Sequence, residues 1–335
     1  MQRHSMIGIL AAVFAAFSWS LNFVAPYIVG PYSIYDLAVT RFLLSGMLGV
    51  ALFVAVKRKG LQLSLRDWVV AAWLGFVGYV GYFMTVMAAV LFAGPIIPPA
   101  IVAMVPVVLA IVGNLGEKTV RWRMLSIPLG LLTLGLVLVN LSGLAEALGG
   151  MSTRVVVGIA ISVGAVLLWT VFALTNRTAL AARPTMDARM WTAMMMIGGV
   201  VEIMVFMPLA ASTGLLNLTR VGIRWHNFAP VLLGSFILAV IGSIAGSWAW
   251  TIAAKRIPVS LAGQLIVTET VFATSFGLVA SHRWPTWPEA LGVISIVCGV
   301  VIALKVLQTP SAFKQVSPKE AVDMHAPANQ ANSPH

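Results

Sequence analysis

Ten apolar runs, at 6–28, 34–56, 67–92, 96–115, 124–142, 155–176, 187–210, 229–254, 258–280 and 288–306, follow one another along the chain with only short polar breaks between them. Crossing the hydrocarbon of a bilayer takes about 20 apolar residues of α-helix, whose backbone groups are satisfied within the segment. Each run meets that length. None shows the ~10-residue two-faced alternation of a membrane β-barrel. The chain is 60% hydrophobic and 9% charged, where a soluble domain carries about a quarter charged residues. The expected fold is an all-α integral membrane protein of ten transmembrane helices.

The first run follows Met1-Gln2-Arg3-His4 and ends without a small-x-small cleavage site, so it is expected to stay in the protein rather than leave as a signal peptide. The single cysteine, Cys298, allows no internal disulfide and no CxxC metal site; it reads as a small buried hydrophobe. After Val306 the chain turns to Pro, Ala, Ser and Asn without apolar periodicity, the composition of a disordered tail over 307–335.

Charge sets the orientation. The net charge of +11 does not indicate nucleic acid, because the basic residues stand singly between apolar runs. Arg3, Lys57, Arg58, Lys59, Arg66, Lys118, Arg121, Arg123, Arg177, Arg183, Arg189, Lys255, Arg256, Lys305, Lys314 and Lys319 fall on the side of the N-terminus. Arg154, Arg220, Arg224 and Arg283 fall on the other, and Arg41 lies within a run. The positive-inside rule then puts both termini in the cytoplasm. Trp68, Trp122, Trp225, Trp284 and Trp287 lie at run ends, as interfacial anchors do.

The two halves echo each other. "FSWSLNF" (17–23) is answered by "LLWTVFA" (167–173), and "GYFMTVMA" (81–88) by "GSWAWTIA" (246–253). The stretch from Pro95 through Pro106 to Glu117-Lys118 is answered by Pro258 through Glu269-Thr270 to His282-Arg283. The echoes keep their order, so the chain reads as five helices duplicated, at 6–142 and 155–306. Because five is odd, the copies enter the membrane from opposite sides. Inverted repeats are a recurrent architecture of secondary transporters, with the substrate site near the midplane where the copies meet.

At this point the residues resemble a family. "GPIIPPAIVAMVPVVLAIVGNLGEK" (94–118) is similar to the fourth helix of EamA-type transporters of the drug/metabolite transporter superfamily. "LAVTRFLLSG" (37–46) is similar to its arginine-containing second helix, and 263–304 to its ninth and tenth. In the second half Ser281-His282 replaces the Gly-Glu pair and Thr270 replaces the proline. The resemblance implies ten helices, cytoplasmic termini, and export or exchange of small metabolites. The bacterial amino-acid exporters, the aromatic group among them, look nearest; drug or cation exporters of the same superfamily are the alternative. It implies no cofactor.

Candidate site residues follow from polar and aromatic groups at mid-depth. Trp19, Ser20 and Asn22 in the first run, with Trp169 and Thr170 in the sixth, either line a cavity or join helices by hydrogen bonds. Tyr82, Trp248 and Trp250 are too deep for an interfacial belt and suit a substrate's ring or ammonium. Gly75, Gly78 and Gly81, and Gly242 and Gly246, let backbones approach. Pro98, Pro99 and Pro106 bend or break the fourth helix. The ninth offers Gln264, Thr268 and Glu269; the last, roughly 15 Å or more from water, is either protonated or reaches a wet cavity or a cation. Trp19, Asn22, Tyr82, Trp169, Trp248 and Gln264 are the expected substrate contacts. Glu269 is the expected coupling acid, for protons or a substrate ammonium. Arg41 and Glu202 lie at equal depth, which permits a salt bridge.

An intramembrane enzyme is disfavoured. His4, His226, His282, His325 and His335 lie at run ends or in tails, and no HExxH, GxSxG or phosphate-cradling loop occurs. No metal site is expected. The longest loop, about eighteen residues, also argues against a receptor or scaffold with a soluble face.

Overall fold

The ten runs fold as ten helices: α1 (Ser5–Val24), α2 (Ile34–Val56), α3 (Leu65–Ala93), α4 (Ile97–Gly116), α5 (Trp122–Leu141), α6 (Thr153–Ala181), α7 (Ala188–Ser212), α8 (Trp225–Arg256), α9 (Val259–Ala280) and α10 (Trp287–Val306). They are seen in a computed structural model that describes residues 3–57, 62–94, 97–117, 120–148, 152–280 and 282–308. Among these residues every element is helical. Several edges differ from expectation: α1 tightens into a 3₁₀ stretch over Leu21–Tyr27, the helix of α5 continues to Leu148, α6 runs on past 176 to Ala181, and α8 starts four residues early at Trp225. The last helix continues to Gln308, so the expected tail loses its first two residues; 309–335 lie outside the described residues, as do Arg58, Lys59, Lys118 and Ser281.

Helix starts are set by local chemistry. Ser33 and Asp36 form a reciprocal capping box at α2, and Ser64 and Asp67 form another at α3. Both acids also reach the other half. Asp36 accepts from the Asn217 and Leu218 amides at 3.1 Å each, and Asp67 pairs with Arg183 at 2.6 Å. Each box therefore starts a helix and fastens the two copies together.

The packing pattern carries the duplication. α2 lies on α7, α4 on α9 and α5 on α10, while α3 lies on α6 and α8 on α1. Exchanging each helix for its counterpart five places along leaves the first three pairings unchanged and swaps the last two. The irregularities match as well. α3 is π-helical over Phe76–Val80 and α8 over Leu238–Gly246. α4 breaks at Ala103-Met104, just before Pro106, and α9 breaks at Val267.

Proline explains the first break, since Pro106 lacks an N–H and tight turns from Met104 to Ile101 and from Val107 to Met104 replace the regular ladder. α9 breaks without one. There Thr270 N–H turns back to the Val267 carbonyl at 3.0 Å, and the Thr268 hydroxyl donates to the Leu265 carbonyl at 2.7 Å. A hydroxyl so placed satisfies a carbonyl that the broken ladder frees.

Glycines set the closest approaches. A Cβ on Gly292 of α10 would stand 2.7 Å from the Gly135 carbonyl of α5, and one on Gly75 of α3 would stand 2.6 Å from the Met195 carbonyl of α7. Cys298 is a correction to the sequence reading: it is exposed, facing outward from α10. In a hydrocarbon solvent an apolar thiol gains little from burial. Trp122, Trp225, Trp284 and Trp287 are exposed at helix ends, as expected of anchors.

Candidate functional site

The bundle is sealed at one end and loose at the other, and the breaks mark the border. Every residue of α9 from Val259 to Val267 is buried, whereas none from Thr268 to Ala280 is. A helix with no buried residue on any face has no side packed into a core. The neighbours agree. Val105, Val107, Leu109 and Ala110 of α4 are buried below the break, whereas Pro99–Met104 above it are half-buried. On α3, Val77–Gly81 are buried and Tyr82–Ala88 half-buried. The sealed half lies toward the side of the N-terminus.

At the border sit three indoles. Trp19 of α1, Trp169 of α6 and Trp250 of α8 contact one another with ring centroids 5.2–5.8 Å apart. Phe172 extends the cluster from Trp169 at 5.7 Å to Tyr79 at 5.4 Å. These are the edge-on and tilted geometries that aromatic quadrupoles favour. The cluster joins both copies. Helices α1 and α8 come this close because Gly246 faces Ser18 and the Trp19 ring, where a Cβ would lie 3.0 Å from both.

The polar atoms of "FSWSLNF" now have destinations. Ser18 and Ser20 donate to the Phe14 and Phe17 carbonyls of their own helix and are fully buried. They serve as small residues at a contact. Trp19 Nε1 donates to the Gly242 carbonyl in the π-helical stretch of α8, at 3.0 Å. Asn22 donates to the Trp19 carbonyl at 2.7 Å and accepts from Arg41.

Other expected residues divide. Thr170 is buried in the sealed half and bonds the Val166 carbonyl of its own helix. Gln264, 2% exposed, donates to the Ser260 carbonyl, and its Oε1 has no partner. Neither reaches the loose half. Tyr82 and Glu269 do: both are half-buried, and they lie close enough to act on each other electrostatically. Phe17 crosses to α9 as well, with its ring 5.4 Å from Phe272.

Trp248 is not part of the cluster. It is 39% exposed and borders a groove at the other side of α8, beside Arg177 and Lys255, while Trp250 takes the inward position. The pair Arg41–Glu202 does not form. Arg41 donates instead to Ser243 Oγ at 3.1 Å and to Asn22, and Glu202 Oε2 has no partner. Tyr79 and Ser247, which sequence reasoning left out, bring two buried hydroxyls to this region, side by side and without a hydrogen bond of good geometry. A tyrosine within a glycine row carries no signal that would have singled it out.

Among the described residues no three His, Cys, Asp or Glu side chains come together as metal ligands. What the arrangement offers is an aromatic floor, a sealed barrier below it and half-buried polar groups above it.

Comparison with known proteins agrees with this geometry. The model of the EamA-like transporter family matches residues 156–305, almost the whole of the second copy. That copy is similar to an EamA-like transporter domain. Inner membrane protein YtfF of Escherichia coli (strain K12) is 26% identical over 311 residues, covering 89% of this chain and 95% of YtfF. A solved crystal structure, 20% identical, superposes with a TM-score of 0.66 over 90% of this chain and 98% of its own; that likeness speaks for the fold alone. The similarity to an EamA-like transporter family thus covers the second copy, and the ten helices that accompany it are each long and apolar enough to cross a membrane.

Proposed function

We propose that the chain is a secondary transporter that exports amino acids, aromatic or other neutral ones foremost, by alternating access. The observation that carries this reading is the border itself. Both copies contribute to one aromatic cluster, with tight packing on one side of it and loose packing on the other, as in a bundle caught open to one side. Rocking of the copies about the breaks in α4 and α9 would open the sealed half and pack the loose one. Glu269 is the acid through which protons or a substrate ammonium would couple, and Tyr82 faces it. That pair also supports a second reading, export of an organic cation.

Exchange in liposomes tests the assignment. Vesicles loaded with unlabelled phenylalanine should take up labelled phenylalanine saturably, Trp19→Ala should lose at least about tenfold in rate, and Glu269→Gln should uncouple uptake from an imposed pH gradient. Folded protein that exchanges neither amino acids nor a bulky organic cation would remove both readings.

Orientation has its own test. With Cys298 replaced by Ala, cysteines placed at Gln62 and at Ser152 report on opposite faces. In intact cells an impermeant maleimide should label Ser152→Cys and spare Gln62→Cys, since both termini are proposed to be cytoplasmic. The reverse pattern would invert the topology.

A further inference from the structure

The transport reading leaves one buried charge unexplained. Arg41 lies on the order of 11 Å below the membrane surface and is only 4% exposed. Its hydrogen-bonding partners, Asn22 and Ser243, are both neutral. None of the described carboxylates pairs with it. A guanidinium carries five N–H donors, and a buried cation without a counter-ion is costly in a bilayer. Tying α1 to α8 would need only a neutral amide.

The donor that Asn22 and Ser243 leave unused faces α8. Nη2 makes no hydrogen bond among the described residues and lies by Gly242, where a Cβ would stand 3.4 Å from it. The Gly242 carbonyl is the one that holds the Trp19 indole. Tyr79, close enough to Arg41 to act on it electrostatically, brings a buried hydroxyl with no partner, and Ser247 beside it brings a second. A cation and two orphaned hydroxyls thus adjoin the aromatic cluster.

Resting on the transport reading above, we propose that Arg41 is the anion-recognition residue of the site and that the transported substrates carry a carboxylate. The planar fork of a guanidinium matches a carboxylate, the hydroxyls complete its hydrogen bonds, and the indoles take the apolar body. Asn22, half-buried at the 3₁₀ end of α1, holds the guanidinium at the edge of the loose half, from which substrate reaches it.

Three small probes test this on the purified full-length protein, by tryptophan fluorescence and by exchange in liposomes at constant ionic strength. They are 3-phenylpropionate, which has a carboxylate and no ammonium, phenethylamine, which has the reverse, and sodium chloride. Saturable binding of phenylpropionate, weakened at least about tenfold in Arg41→Gln and partly kept in Arg41→Lys, is the expected result. Binding of phenethylamine as tight as that of phenylpropionate would overturn it, as would a chloride response that Arg41→Gln abolishes while phenylpropionate has none. Should Arg41→Gln fail to fold, the wild-type preference among the three probes decides. Exchange of phenethylamine without phenylpropionate sinks the role of Arg41 and leaves transport standing; exchange of none of the probes or amino acids removes both.

Discussion

Trp250→Ala should cost about 3–5 kcal/mol of stability and abolish saturable transport, the heaviest penalty expected from any single side chain here. Trp250 is 1% exposed and lies 5.8 Å from the Trp19 ring and 5.2 Å from the Trp169 ring. Its removal empties the place where α1, α6 and α8 meet, and close-packed helices cannot collapse to fill an indole-sized hole. Trp250→Phe should behave differently. The indole Nε1 is buried with no partner, and deleting an orphaned donor returns part of a cost of ~1–3 kcal/mol, against the lost volume. Thermal unfolding of the two variants in detergent should therefore separate them by several degrees. Equal melting temperatures for Trp250→Ala and wild type would show that the cluster does not hold the helices together.

A second large effect is expected from Gly292→Val, with a loss of ~3 kcal/mol or more and little folded protein recovered. The reason lies in backbone, which cannot give way. The added Cβ would meet the Gly135 carbonyl at 2.7 Å, and the Val139 amide at 2.9 Å. Gly130, on the same α5 but with nothing within 4 Å of its Cβ position, supplies the control. Gly130→Val should purify and melt like wild type. If both variants are recovered equally well by size-exclusion chromatography, α5 and α10 do not touch as described.

Helix boundaries were open to sequence reasoning because hydrocarbon thickness fixes length and polar residues must sit outside it. The second run, expected at 34–56, ends where α2 ends, with its capping box just outside. The duplication was legible for a related reason: the order of weak echoes survives where their identity does not. Direction was harder. Trp248 and Trp250 are two residues apart and so lie on roughly opposite sides of a helix, and only the neighbours decide which one faces in. Depth placed Arg41 level with Glu202, yet depth says nothing about azimuth, and the guanidinium points toward α1 and α8. The π-helical stretches leave no mark beyond glycine and serine, residues that also serve plain packing. The hydroxyls of Ser20 and Thr170 bond within their own helices, because a backbone acceptor three or four residues back is always within reach.

The interleaved pairing of α2 with α7, α4 with α9 and α5 with α10 also bears on how the protein is made. Helices inserted in order from the ribosome reach the bilayer well before their partners, so the first five wait there with glycine-lined faces exposed to lipid. Arg41 waits as well: Asn22 is already present on α1, but Ser243 arrives only with α8. The final packing of these three pairs therefore waits for the second half, since each joins one copy to the other.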